Sequence, residues 1–343
     1  MISKTILIKK TLMERSLPIN FDEKDANLFS HESVKVNPPT YLDRLQSIYA
    51  NSSGLMYVGL DKLPQSLYLK PSSFKRKLYT PSFCLKVLFS KNEEIKEDVM
   101  WVTDNWSNNY FHWITDVLPR LQLIQNATPC RTLLIPKHLL ASDFVKASLQ
   151  LFDIQKLIEI SRDQIIRCNN LLVVDTEMAT GNYNESSIKS LRALYVTAYS
   201  TFPKGKIYER IYISRGKASR RKVINEQEIM PVLNEYGFHV VHMEDYSFEE
   251  QIKLIMPAKY IISNHGAGMT NMIFMQAGGS VFELRREGDT QNNCYFSLSS
   301  ALSLNYYYQL CRAEPSSMVD NFTNITVSSD LFRKNVHLML TQS

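Results

Sequence analysis

Three clusters of residues have the types and spacing to do chemistry. The first is His112 with Asp116. Helix positions i and i+4 share a face. A carboxylate beside an imidazole raises its basicity and fixes its tautomer, as a general base requires. The plain alternative is an ion pair on a helix surface. Tyr110 and Trp113 bracket the histidine, and the polar run Asp104 to Asn109 leads into it. Such a loop at a strand's carboxyl end is where α/β proteins place function. Asp116 acting directly is a variant of this reading, with Asp104 behind it.

The second cluster runs from Ser214-Arg215 to Arg221. Arg215 follows directly on an apolar run, which puts it at a sheet's carboxyl edge. Arginine forks suit phosphate oxygens and keep their charge. Lys217, Arg220 and Lys222 read as a solvated basic turn. The third cluster is Ser263-Asn264-His265-Gly266-Ala267-Gly268, after the apolar run Tyr260-Ile261-Ile262. The spacing predicts a strand, a glycine turn allowing close backbone approach and positive φ, and a helix through Thr270 to Met275. Opening N–H groups and the helix dipole make such a corner an anion site. An ordinary strand–turn–helix corner has the same pattern. His265 and Asn271 favour a site, because both side chains can hydrogen-bond a ligand. Glu283 closes the next strand. An acid there either accepts from ribose hydroxyls or pairs with Arg285 or Arg286.

The elements that must position these residues are legible in outline. Val99–Val102, Leu133–Ile135 and Leu171–Val174 read as strands, with helices over Tyr110–Ile124, kinked at Pro119, and Ala141–Phe152. Ser187–Tyr199 reads as a connecting helix and 202–206 as a linker. Strands then alternate with helices: Arg210–Ile213, a helix capped by Asn225 and Glu228, Phe238–His242, Phe248–Met256, Tyr260–Ile262, Ser280–Leu284, Asn292–Leu302 and Asn305–Leu310. This order predicts α/β architecture: two Rossmann-like, doubly wound sheets with a cleft between them. Residues 1–203 form the first domain, a β-rich opening stretch plus an α/β core. Residues 204–312 form the second, and 313–343 are a tail expected to pack back on the first.

The chain has 343 residues, 44% of them hydrophobic and 21% charged, an ordinary globular composition long enough for two domains. A net charge of +5 is small and dispersed, which suits phosphate ligands or an anionic membrane surface and not nucleic acid. Five scattered cysteines show neither a zinc pattern nor a disulfide framework, so free thiols in a reducing compartment are expected. No run approaches the roughly 18 apolar residues of a membrane span. A soluble, cytoplasmic protein is therefore expected, loosely associated at most with the inner face of the membrane.

The segments Asn109–Leu121, Ile213-Ser214-Arg215 with Arg221 and Asn225-Glu226, Phe248–Gln251, and Asn264–Asn271 together resemble, in order and spacing, the motifs of glycosyltransferase family 61. The resemblance spans Trp101 to Tyr308. It implies an inverting transferase of GT-B type that takes a nucleotide sugar as substrate, without cofactor or bound metal. Like bacterial members, the chain would build capsule or other surface polysaccharide on a glycan or lipid-linked glycan acceptor. On that footing His112 is the base and Asp116 orients it. Asn109 and Trp113 lie on the acceptor side. Arg215, Arg221, His265, Gly266, Ala267, Gly268, Asn271 and Glu283 form the donor site. The alternatives are a nucleotide-sugar-modifying enzyme such as an epimerase, and a non-catalytic nucleotide-sugar or glycan binder.

Overall fold

The structure, a computed structural model, describes residues 3–58, 61–63, 93–162, 164–176, 180–200, 207–314 and 323–342. The expected linker at 202–206, the charge run at 75–77 and Cys84 lie outside them. The chain divides into two compact units, one of Met1–Thr11 and Val36–Thr180, the other of Leu12–Lys35 and Gly181–Ser343. The division falls at 180/181, upstream of the expected boundary at 203. The second unit also takes in a segment of the opening stretch.

In the first unit, an eight-stranded sheet runs in the order Asp61–Lys62, Met56–Val58, Thr40–Asn51, Ile165–Thr176, Glu93–Trp101, Thr132–Pro136, Lys156–Ile160. Ser3–Ile8 lies antiparallel to Thr40–Asn51. The pairings from Ile165–Thr176 outward to Lys156–Ile160 are parallel, but Thr40–Asn51 runs antiparallel to Ile165–Thr176. The sheet is therefore mixed, not the doubly wound parallel sheet expected. The opening stretch supplies its antiparallel half. Leu45, Ile48, Val99, Trp101, Leu134 and Leu171 share its core.

The second unit is closer to expectation. Its sheet runs His239–Val241, Arg210–Ile213, Tyr260–Asn264, Ser280–Arg286, Asn305–Ala313, all parallel, with Ile325–Thr326 antiparallel at the edge. Numbered within the unit, the parallel order is 2-1-3-4-5. The chain reverses direction across the sheet between Arg210–Ile213 and Tyr260–Asn264. In open α/β sheets, ligands bind outside the carboxyl ends of the strands at such a switch point.

The tail is corrected by the structure. Helix Ser329–Thr341 does not form a tail on the first domain. Its Phe332, Val336 and Met339 join Phe282, Tyr307 and Ile229 in the second unit's core, with the Phe282 and Phe332 rings stacked 5.7 Å apart. Ser328 caps this helix by accepting from the Leu331 N–H. The capping box expected at Asn225 does not form. Asn225 instead grips the Val327 backbone through both ends of its amide, tying helix Glu226–Glu235 to the last strand. The reciprocal box lies at Ser247 and Glu250, opening helix Phe248–Ile255.

The segment from Leu12 to Lys35 contributes helix Ala26–Ser33, whose Phe29 is fully buried against Phe296 and Tyr308 at 5.1 and 4.9 Å. Cys130, Cys168, Cys294 and Cys311 are free thiols. Among the described residues, no helix is long and apolar enough to cross a membrane.

Candidate functional site

In the first unit, the histidine segment is helical from Tyr110 to His112, π-helical over Trp113–Val117, and α-helical from Leu118 to Ala127. The Leu118 N–H reaches back five residues to the Trp113 carbonyl. Pro119 follows at once, and with no N–H it donates nothing to the turn before it. The interruption expected at the proline is realised as this wide turn, a form that recurs at functional sites. His112 Nδ1 lies 2.9 Å from Asp116 Oδ2, and the Thr180 hydroxyl is 3.4 Å from the same oxygen. The imidazole is buried, at 7% exposure. With Nδ1–H donating to the carboxylate, the basic lone pair is on Nε2.

The other expected members of this half do different work. Trp113 is fully buried and donates from Nε1 to Ser148 Oγ at 2.8 Å, so it belongs to the core and cannot meet an acceptor. It shares a helix with His112 but faces inward. Asn109 caps the helix, its Oδ1 accepting from the Phe111 N–H at 2.9 Å. Asp104 is buried, paired with Arg120 at 2.9 Å, and accepts from the Trp106 N–H and the Ser107 hydroxyl. Burial opposes its charge, but the Arg120 guanidinium and these hydrogen bonds outweigh it and hold the carboxyl below its ordinary value. A carboxylate so engaged is a poor base; it fixes the loop instead. That loop carries Trp106, 44% exposed, with its ring 5.6 Å from the His112 ring. Its one legible signal is an aromatic in a polar run.

In the second unit the glycine corner sits at the switch point. Strand Tyr260–Asn264 runs into Gly266, and a 3-10 helix opens at Ala267 and runs to Phe274. Gly266 is extended (φ 171°), so its value is close approach and not a positive φ. A Cβ there would lie 2.4 Å from Arg215 Nη1. The Arg215 guanidinium packs against the glycine and donates to the carbonyls of Arg221 and Arg220, both at 3.2 Å. Arg221 takes a left-handed backbone (φ 57°), uncommon for a non-glycine residue and a mark of a constrained turn. Burial, and after it the nearby charges of Arg221 and Arg220, push Arg215 below its ordinary value. An anion beside these groups would relieve that repulsion. The first N–H groups of the 3-10 helix, at Ala267 and Gly268, have no acceptor within the helix. Tyr295 pins the corner from behind, its hydroxyl donating to the Gly266 carbonyl at 2.6 Å.

Three expected ligand contacts are engaged within the fold instead. Glu283 is fully buried and holds His265 Nδ1 on one oxygen and the Tyr306 hydroxyl on the other. Burial opposes its charge, but His265, then Arg285 and Tyr306, hold its carboxyl below the ordinary value. Both of its oxygens are thus already engaged by partners within the fold. His265 is held at its second nitrogen by Asn292 Nδ2 at 2.8 Å, so both nitrogens serve the fold. Asn271 is fully buried and donates to Gln251 Oε1 at 3.0 Å, while Gln251 in turn ties down the Met243 and Tyr246 carbonyls. Sequence reasoning missed Tyr295, Tyr306 and Asn292, whose positions become meaningful only once the strands are ordered; Arg285, weighed there as a partner of Glu283, does act on its charge. Among the described residues, no group of three His, Cys, Asp or Glu side chains is placed to hold a metal ion.

A parallel sheet with a basic glycine corner at its switch point makes this an α/β protein with the arrangement in which such folds commonly bind anions. Residues 110–282 match the family model Glycosyltransferase 61, and the chain belongs to that family. It is similar to the EGF domain-specific O-linked N-acetylglucosamine transferases of Bos taurus and Drosophila melanogaster. The cattle protein is 30% identical over 133 residues, 37% of this chain and 24% of that protein. The fly protein is 31% identical over 98 residues, 28% of this chain and 18% of that protein. The matched stretch thus spans about a quarter of the length of these relatives or less.

Proposed function

We propose that this glycosyltransferase is an inverting enzyme of GT-B type that moves a sugar from a nucleotide-diphosphate donor to a hydroxyl of a glycan acceptor, in surface polysaccharide synthesis. The relatives' names make N-acetylglucosamine the first donor sugar to test. The observation that carries the reading is the corner in the second unit. Arg215 lies on Gly266, its charge is opposed by Arg221 and Arg220, and the N–H groups of Ala267 and Gly268 open beside it. Such preorganised positive charge suits a departing diphosphate, and electrostatic stabilisation of that kind is often the largest catalytic contribution.

The chemistry is one displacement. Nε2 of His112 takes the proton of the acceptor hydroxyl, and the oxygen attacks the anomeric carbon from the face opposite the diphosphate. The bond from that carbon to phosphate oxygen breaks, and the diphosphate leaves with its electron pair. Asp116 holds the tautomer and balances the imidazolium that forms, as its 2.9 Å contact with Nδ1 allows. Asp104, Asn109, Trp113, His265, Asn271 and Glu283 support the two halves from within the fold.

The test is transfer from a panel of nucleotide sugars to glycan and lipid-linked acceptors, by the wild type and His112→Ala. Removal of a general base lowers turnover by about 10²–10⁴-fold. Undiminished turnover in His112→Ala would overturn the base assignment. A free, altered sugar formed without acceptor would replace transfer with epimerase-type chemistry.

A further inference from the structure

Asn264 ends the strand that leads into the glycine corner. It is 2% exposed, and its Nδ2 donates to the Arg221 carbonyl. That bond decides which end of the amide is which, because a carbonyl oxygen accepts only from the NH₂ end. Oδ1 is thereby fixed, and it is buried with no hydrogen-bond partner. An orphaned buried acceptor loses its hydration without recompense, and each such atom in a native fold calls for an explanation. Asn264 lines a small pocket with Arg221, His265, Arg286, Asp289 and Thr323. The pocket sits at the carboxyl ends of Tyr260–Asn264 and Ser280–Arg286, beside the corner that the proposed reading gives to the diphosphate. A single residue, His265, separates Asn264 from Gly266, at most about 7 Å of chain.

We propose that Asn264 Oδ1 is a specificity contact of the donor site, accepting a hydrogen bond from an O–H or N–H donor on the nucleoside part of the substrate. The inference rests on the diphosphate reading of the corner and adds to it what the neighbouring pocket selects. Glu283, the residue expected to meet the ribose, has both oxygens engaged by His265 and Tyr306; Asn264 offers an unpaired acceptor in its place. The same amide holds Arg221 by its other end, so nucleoside recognition and the arginine turn share one side chain. A site built around a buried polar atom rejects the analogue that cannot pair with it, because the atom is then left unpaired.

Two donors carry this chemistry, a ribose hydroxyl and a ring N–H, and the experiment separates them. Binding is measured calorimetrically for UDP and GDP, each also as its 2′-deoxy, its 3′-deoxy and its ring-N-methylated form. In the wild type, one substitution lowers affinity by about ten- to a hundredfold and the others do not; a deoxy form marks the hydroxyl and a methylated form the ring nitrogen. In Asn264→Ala the parent and that analogue bind equally. A variant in which both weaken together with their ratio intact would make Asn264 only a support for Arg221 and overturn the assignment. Should the variant fail to fold, the wild-type series alone decides. Wild-type binding that is indifferent to every analogue overturns the inference while leaving the diphosphate reading standing. Absence of binding by both UDP and GDP overturns the two together.

Discussion

Gly266→Ala tests the corner with a single methyl group. The backbone at Gly266 is extended, a conformation alanine adopts freely, so no torsional penalty enters. The added Cβ would meet the Arg215 guanidinium at 2.4, 2.8 and 3.0 Å from Nη1, Cζ and Nε. Restoring an ordinary contact of about 3.5 Å moves the guanidinium by about 1 Å. Its bonds to the Arg220 and Arg221 carbonyls are already 3.2 Å long and do not survive that shift. The guanidinium is the far end of a flexible chain and part of it faces water, so the fold loses only about 1–2 kcal/mol. A bound phosphate loses a charge-assisted contact, which weakens UDP or GDP binding by about ten- to a hundredfold. Gly278→Ala is the control. Gly278 has φ 81° and nothing within 4 Å of a Cβ, so alanine there costs about 1 kcal/mol of backbone strain and leaves binding alone. Calorimetric titration with melting curves separates the two. Unchanged nucleotide affinity in a folded Gly266→Ala protein would refute the reasoning.

Asp104 gives a pH prediction. Its carboxyl is held below its ordinary value in the fold, so its contribution to stability is complete above about pH 4, the unfolded value. That contribution is lost as the pH falls through the lower folded value. Asp104→Asn therefore destabilises the protein near neutrality and flattens the acid limb of a melting-temperature profile; an unaltered acid limb would dismiss the ion pair with Arg120. Trp106, exposed beside His112 on a loop fixed by Asp104, presents an aromatic face where an acceptor sugar would approach. Trp106→Ala is expected to raise the acceptor KM by about two- to tenfold while leaving the donor KM in place. A donor KM that rises in step would remove Trp106 from the acceptor side.

The family and the alternation of elements were legible because they rest on local pattern. Apolar runs at strand length, helical spacing over Phe248–Met256 and Ser187–Tyr199, and the i,i+4 relation of His112 and Asp116 need no distant partner. The carboxyl-edge position of Arg215 followed from strand direction alone. What failed to read across was facing. Trp113 and His112 lie one residue apart, and sequence gave no means of deciding that one enters the core beside Ser148 while the other meets Asp116. Glu283 looked like an edge acid because it ends an apolar run, but the strand continues to Arg286 and buries it between His265 and Tyr306.

The sequence by itself determined the alternation of strands and helices from Arg210 to Leu310, the family, and the residue types available for acid–base and phosphate chemistry. The tertiary structure alone decided that residues 12–35 join the second unit, that the last helix completes its core, and that the strand order puts Arg215 and Gly266 in contact. The physical reason is that periodicity is set by neighbours along the chain. Whether a side chain faces core, partner or crevice is set by elements tens to hundreds of residues away, as Asn293 shows by donating to the Leu28 carbonyl.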